Sequence, residues 1–473
     1  MLGHIVQVND MQKNQLIAVI VVAIVVVAAA AVAVVTLNKG DSKTEKPAFA
    51  EQETVVIYGN ANNDAYINND DITYVQDIID KKTTWDSTNY PFADANHDGE
   101  ITSADIDQIK MIINNESGKV WYLNSFGNDQ EIQYPLVNRT IAVTYWQQAE
   151  AVSILGHWKD VKVASRAATV NYPDMYPLTT DKGDVVETGT TGSSTPTEDT
   201  LKAYATNNVD LIIATASSGV KAKLDTLSTY TTNDIQIVYL WHSGPKVVST
   251  ILTLGVLMEE EQKAEAYASF FYKQTDAVKS VVAGLSSDEI PGIVCNITYS
   301  DTDARYTKNG GYCVMFNNNE GAFYLLNMLG NVISESSDIT DWGYGYRDKT
   351  WFANNNDKID FIVNCESGIY FSKGADKSTY NDRFETNAKY FENLDAYNNG
   401  KVIGSVYAFL GGFSGSAMLP LLAYMIYPDK FSESDALDTL QYWMDNFTNA
   451  KLDVKDMGGY YYTGSNYDIW YKQ

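Results

Sequence analysis

Cysteine and basic residues are what this chain is short of. Three cysteines in 473 residues (Cys295, Cys313 and Cys365) are too few for a disulfide framework and show no paired metal-ligand spacing. Buried thiols and a single Cys295–Cys313 bridge are the two readings. Lys and Arg number 34 against 60 Asp and Glu, a formal net charge of -26. Such a surface repels phosphate backbones and argues against a nucleic-acid partner. Missing as well are the motifs of the common chemistries: no GxSxG elbow, no HExxH, no Walker loop and no dinucleotide-binding glycine pattern.

What is abundant points elsewhere. There are 33 Tyr and 9 Trp among many Asn, Thr and Ser, residues with apolar faces and polar tips that suit a wet aromatic pocket. The chain is long enough to bury more than one core. Leu16 to Leu37 is an uninterrupted apolar run of the length that spans a bilayer, longer than the core of a signal peptide. It reads as a transmembrane anchor; a long signal peptide cut after Ala48-Phe49-Ala50 is the alternative. Lysines flank the run on both sides and do not decide orientation, since a long domain translocates largely regardless of them. Sequons at Asn115, Asn138, Asn296 and Asn446 suit an exported chain. Gly40 to Glu53 is polar and charged and reads as a tether.

The most specific signal follows it. Asn60, Asn62, Asp64, Asn68 and Asp71 fall at positions 1, 3, 5, 9 and 12 of a calcium loop, and Asp94, Asn96, Asp98, Thr102 and Asp105 repeat that spacing 34 residues later. Calcium takes six to eight oxygens, and short Asp and Asn side chains at alternate positions of a tight turn supply them. The second loop has Gly99 at the turn position, whereas the first has Asn60 at position 1 and Ala65 at the turn, so weaker Ca2+ binding is expected there. Each loop runs into a helix, expected over Ile72–Ile79 and Ile106–Ile113. Duplicated loops with Asp at position 12 and one following helix resemble a type I dockerin over about Val55 to Asn115. The resemblance implies a cohesin partner contacted through Asn69, Asp70, Ser103 and Ala104; a stalk that uses calcium only to fold is the other reading.

From Arg139 strands and helices alternate, which implies a mostly parallel sheet. Strands are expected at Ile141–Thr144, Val161–Ala164, Asp210–Ala214 and Ile235–Leu240, with helices at Gln147–Leu155 and Glu198–Thr206. Beyond Gly244 and Pro245 an apolar segment leads into a helical stripe of Ala264, Ala268, Phe271, Thr275, Val278, Val282 and Leu285. A helix of about 27 residues, roughly 40 Å long, would join two halves. The βα grammar then returns with strands Gly292–Thr298, Phe361–Asn364 and Val402–Val406, and helices Gly321–Leu329, Asn381–Tyr390, Leu419–Ile426 and Glu433–Phe447.

RTIAVTYWQQAEAVSILGHWKDVKVAS, TEDTLKAYATNNVDLIIATAS and the late NNGKVIGSVYAFLGGFSGSAMLPLLAYMIYPDKF resemble the metal-chelate class of ABC-transporter substrate-binding proteins, over roughly Arg139 to Thr448. An aromatic segment around Trp342 to Phe352 departs from the pattern. The resemblance implies capture of a ferric siderophore, corrinoid or haem, little hinge motion, and delivery to an ABC permease in the same membrane. The expected fold class is α/β, two Rossmann-like lobes joined by one long helix, preceded by a transmembrane helix and a small α-helical dockerin/EF-hand-like module. The expected order is a cytoplasmic N-terminus (1–15), the anchor (16–37), a linker (38–54), the calcium module (55–115), a first lobe (139–243), a connecting helix region (244–286) and a second lobe (287–473), with the bulk of the chain extracellular.

Ligands of open α/β sheets bind beyond the carboxyl ends of the strands. That rule selects Tyr145, Trp146, Ser217, Ser218, Trp241 and His242 in the first lobe, and Tyr299, Arg305, Tyr306, Glu366, Tyr407, Phe409 and Phe413 in the second. Aromatic walls with few charges fit a large, partly apolar chelate, with Arg305 and Arg347 to pair its anionic groups. His242 reads as an axial metal ligand or as a hydrogen-bonded structural histidine. The rival class is a dockerin-bearing surface hydrolase with two carboxylates across a cleft, drawn from Asp301, Asp303, Asp341 and Glu366; a surface assembly protein is the third.

Overall fold

Two loop–helix units open the described chain: α1 (Asn69–Ile79) and α2 (Ser103–Ile113). The computed structural model describes residues 47–298, 312–315, 321–333, 344–366, 388–406, 410–450, 452–454, 461–463 and 468–469. The expected anchor at 16–37 lies outside them, and among the described residues no helix is long and apolar enough to cross a membrane. Each of the first two helices begins with a capping box, Asn68 with Asp71 and Thr102 with Asp105, which satisfies N–H groups that a helix start leaves free. Val75, Ile106 and Ile109 close a small core with Ala61, Ala93 and Ala95.

This module is no separate stalk. A hairpin that the sequence reading did not assign, β1 (Gly118–Leu123) with β2 (Asp129–Tyr134), joins it to the rest, and Ile57 bridges to Tyr122. The expected linker is packed from Phe49 onward: Phe49 and Ala50 are buried, Tyr272 donates to the Glu53 carboxylate at 2.6 Å, and the Val56 amide donates to Thr253 Oγ1 at 3.0 Å. A polar composition had suggested a free tether. Its two apolar residues and its backbone groups instead have partners on the connecting helices, and burying them outweighs the solvation of the charges around them.

The first lobe is built on β3 (Ile141–Val143), α3 (Trp146–Ile154), β4 (Val161–Ser165), β5 (Val186–Thr188), α4 (Glu198–Thr206), β6 (Leu211–Thr215), α5 (Ser218–Leu224) and β7 (Gln236–Leu240). Its five-stranded sheet runs β5-β4-β3-β6-β7, and every pairing is parallel. The chain winds outward from β3 in one direction and then from β6 in the other, so the order reverses between those two strands. Such a reversal leaves a crevice at the strands' carboxyl ends.

The connection between lobes is not one helix. It is α6 (Val247–Leu257) followed by α7 (Glu261–Val282), 22 residues or about 33 Å at the helical rise. The break falls at Met258 to Glu260, where Glu259 adopts a left-handed backbone (φ 56°) and an acidic run replaces the apolar one. The two helices meet closely. A Cβ built on Gly255 would lie 2.5 Å from the Ala264 Cβ, so glycine is what lets them approach.

The second lobe has β8 (Gly292–Thr298), β9 (Tyr312–Met315), α8 (Gly321–Leu326), β10 (Asn331–Val332), β11 (Tyr344–Arg347), β12 (Phe361–Glu366), β13 (Val402–Val406), α9 (Gly415–Ile426), α10 (Glu433–Phe447), β14 (Tyr461–Thr463) and β15 (Asp468–Ile469). The order is β11-β9-β8-β12-β13-β14-β15, with β10 also on β8. Only β10, β8, β12 and β13 pair in parallel; β9, β11, β14 and β15 are antiparallel additions. The lobe is thus a parallel core with mixed edges, and the segment around Trp342 to Phe352 contributes β11 to one edge. Cys295 and Cys365 are buried thiols, not joined in a disulfide, with sulfurs 4.0 Å apart on neighbouring strands. Asn296 is fully buried and donates to Asn364 Oδ1 at 2.6 Å, which rules it out as a glycan acceptor. Of the expected helix Asn381–Tyr390, positions 381–387 lie outside the described residues.

Replacing Gly255 by Ala should destabilise the protein by roughly 1–2 kcal/mol, because the overpacking cost at Ala264 exceeds the helix-propensity gain of about 1 kcal/mol. The urea midpoint measures it. A midpoint that rises would mean that the helices have room to spare and that the contact does not constrain their crossing.

Candidate ligand-binding site

At the crevice between β3 and β6 the chain places a buried polar relay. The Thr215 amide donates to Thr144 Oγ1 at 3.0 Å, the two threonine hydroxyls are 3.3 Å apart, and Thr215 Oγ1 donates to Gln148 Oε1 at 2.8 Å. This fixes the first turn of α3 against the end of β6. Gln148 Nε2 and Gln147 Oε1 are closed to solvent with no hydrogen bond among the described residues. Buried polar atoms are normally paired by protein or by ordered water; atoms of this kind also occur away from the crevice, at Trp443 and Ser416. Neither glutamine was singled out in the sequence, because in a nine-residue segment polar side chains read as a solvent face.

The end of β7 adds two more such atoms, Trp241 Nε1 and His242 Nδ1. Trp241 is half-buried and carries Lys246 Nζ 5.6 Å over its ring. Burial holds the His242 ring down at about 4 from its ordinary 6.5, against an opposing hydrogen bond with the Leu240 backbone. It is therefore a neutral imidazole at physiological pH, in a state to accept or donate one bond.

The other expected site residues are placed as follows. Tyr145 is the half-buried residue preceding α3, with its ring 6.2 Å from that of Trp146. Trp146 is only 7 % exposed and packs on Tyr172 and Gly412, where a glycine Cβ would come within 2.7 Å of its ring; it seals the seam between lobes. Ser217 caps α5, accepting from the Val220 amide. Arg347, at the end of edge strand β11, is buried with its guanidinium 5.7 Å over Trp351. Phe413 is fully buried, its amide donating to Glu150 and its carbonyl accepting from Tyr267. Tyr299, Arg305, Tyr306, Tyr407 and Phe409 lie outside the described residues, as do Asp301, Asp303 and Asp341; of Glu366 only the backbone is described.

The two loops of the N-terminal module share one hydrogen-bond ladder. Asp71 accepts from the amides of Asn62 and Asn68, and Asp105 from those of Asn96 and Thr102. Asn60 and Asn62 both accept from the Asp64 amide, and Asp94 and Asn96 from that of Asp98. Oxygens therefore line each turn at alternate positions. Burial pushes the Asp71 carboxyl up to about 7, and raises Asp105 as well. Both carboxyls are buried, and burial is the largest cause of each rise. Among the described residues no three His, Cys, Asp or Glu side chains are gathered as a metal centre; three of the first loop's five candidate residues are Asn, and two of the second loop's five are Asn or Thr. Asn69, Asp70, Ser103 and Ala104 are exposed.

No family model matches the sequence, and no curated protein resembles it. Solved structures do resemble its fold. A TroA-like periplasmic binding protein, FepB from Veillonella parvula, is 17% identical and matches with a TM-score of 0.52 over 73% of this chain and 99% of its own. An ABC-transporter solute-binding protein from Sulfurospirillum deleyianum is 14% identical, TM-score 0.51, over 71% and 97%. CeuE from Helicobacter pylori, solved as a nickel–histidine complex, is 12% identical, TM-score 0.50, over the same shares, 71% and 97%. At these identities the likeness is one of fold: two α/β lobes on a helical connection, as in solute-binding proteins.

Proposed function

We propose that the chain is the solute-binding component of an ABC importer, held outside the membrane by its apolar 16–37 segment, and that it captures a metal chelate such as a ferric siderophore, a corrinoid or haem for a permease in the same membrane. The observation that carries this reading is the set of unspent polar atoms at the carboxyl ends of the first-lobe strands: Gln147 Oε1, Gln148 Nε2, Trp241 Nε1 and His242 Nδ1. They sit where an open α/β sheet takes its ligand, beside the half-buried rings of Tyr145 and Trp241, and they are neutral. A few convergent neutral polar groups in an aromatic setting suit binding of an intact solute rather than bond cleavage. The fold similarity to solute-binding proteins supports the same reading. Arg305, Tyr306, Tyr407 and Phe409 would form the facing wall, and His242 would orient the ligand or ligate its metal.

The N-terminal loops belong to the same proposal as calcium sites. Asp94, Asn96, Asp98, Thr102 and Asp105 would hold one ion and Asn60, Asn62, Asp64, Asn68 and Asp71 a weaker one. Calcium would neutralise the buried acids and brace each helix start.

Titration of the protein with haemin, a ferric hydroxamate and cyanocobalamin, followed by tryptophan quenching, should show saturation by one of them at micromolar affinity or tighter, with the ligand recovered unchanged. Silence from all three would sink the chelate reading. Imidazole resonances should show His242 neutral from about pH 5.5 to 8, as its depressed pKa requires; a midpoint near that of a free histidine would place the ring in solvent and remove it from the site. Millimolar calcium should raise the melting temperature, and Asp105→Ala should abolish most of that rise. An equal rise in the variant would mean that calcium acts elsewhere.

A further inference from the structure

One face of α3 is the seam between the lobes. Trp146, Glu150 and Ser153 recur there at helical spacing, i, i+4 and i+7, and each meets the second lobe: Trp146 meets Gly412, Glu150 the amides of Phe413 and Ser414, and Ser153 the Asn449 side chain at 2.8 Å. Glu150 is the centre of the three. One oxygen, Oε2, accepts from Phe413 N at 2.8 Å and the other, Oε1, from Ser414 N at 2.9 Å; the Ser414 hydroxyl bonds to the same carboxyl. These amides stand at the start of α9, a helix whose N-cap Ser414 makes no side-chain cap of its own. The cap is supplied from the other lobe. Gly412 is required beside it, since a Cβ there would lie 2.5 Å from Glu150 Oε2.

A buried glutamate is costly unless hydrogen-bonded, and the partners of this one all come from the turn before α9. We propose that Glu150 is a positioning residue, a latch that fixes the turn at 410–414 against α3 and so sets the spacing of the two lobes at the floor of the cleft.

The latch is sensitive to pH. Burial, opposed by the bonds from Ser414 and Phe413, pushes Glu150 up to about 7. The titratable groups that face it are Tyr176 and, from α7, Tyr267; both are held far above their ordinary value by burial and by Glu150 itself, and stay neutral. The charged groups on the neighbouring elements turn to the far end of α3, where Lys263 donates to the Leu155 carbonyl and His157 pairs with Asp160. A carboxyl with a raised pKa binds its proton more tightly latched than open. Ionisation therefore favours the open state: the latch is firmest below the ordinary carboxyl value of 4.5, weakens as pH rises from there and levels off above about 7.

Hydrogen–deuterium exchange of the full chain, read on the peptide containing Phe413 and Ser414 and corrected for the intrinsic pH dependence, tests this without any ligand. Between pH 6 and 8.5 the opening constant of that peptide should rise more than about tenfold, one pKa unit being a factor of ten. Glu150→Gln, which keeps the shape but cannot ionise and gives up one of the two acceptor oxygens, should show a pH-independent opening constant, higher than that of the wild type at low pH. Glu150→Ala should expose both amides at every pH. The latch is overturned if the wild type and the Gln variant show the same pH dependence, or if the Ala variant, folded by circular dichroism, leaves the peptide protected. Failure of the ligand titrations bears on none of these outcomes.

Discussion

The burial of α7 is the constraint on which the rest depends. Tyr267 sits in its second turn, fully buried, its ring within 6.3 Å of Phe271, Phe413, Trp443 and Phe447 and its hydroxyl on the Phe413 carbonyl. Five residues on, Tyr272 reaches the N-terminal segment at Glu53. An amphipathic helix normally buries one stripe; this one buries Ala264, Tyr267, Ala268, Phe270, Phe271, Tyr272, Thr275 and Val278, which wrap around more than one face. Each large apolar side chain covered contributes about 1.5–3 kcal/mol. No single neighbour can cover them all, so the second lobe's closing helices, α6 and the N-terminal segment all close on the same helix.

That constraint explains which parts of the fold were legible. The helices Glu198–Thr206 and Glu433–Phe447 and the strands Gly292–Thr298 and Val402–Val406 have the bounds that their periodicity and punctuation indicate. Their neighbours agree with their local preference. The connection between lobes was legible as helix but not as two helices, because Glu259 takes a left-handed backbone without being the glycine or asparagine that signals one. The hairpin β1–β2 and the antiparallel edges of the second lobe escaped for a different reason. Short strands alternating through Gln, Glu, Lys and Tyr carry little hydrophobic contrast, and what makes them strands is the partner they pair with.

The candidate site shows the same limit at the level of single residues. Aromatic strand ends could be picked by rule, and Tyr145 follows β3 while Trp241 and His242 follow β7. Gln147, Gln148 and Glu150 could not. In WQQAEAVSI the polar residues outnumber what a buried helix should hold, and all nine are nonetheless buried, because one face of α3 meets its own sheet while another meets the second lobe. Trp146 illustrates the converse: the rule selected it as a wall of the cleft, and its ring is the plug of the seam, held there by a glycine that comes from the opposite lobe.

The packing of the N-terminal module changes what its loops can do. Had residues 47–54 been a free tether, an ion bound at Asp94 to Asp105 would have stabilised the module and nothing else. Here Asn68, at the ninth position of the first loop, lines a cavity of about 220 Å³ with Ile112, Val256, Glu261 and Glu265, so loop and connecting helices share a wall. Burial raises both glutamates, and Glu261 raises Glu265 further. The loop therefore borders the start of α7, the helix that also holds Phe413 through Tyr267. Module, connecting helices and the turn at Phe413 are joined by contiguous contacts.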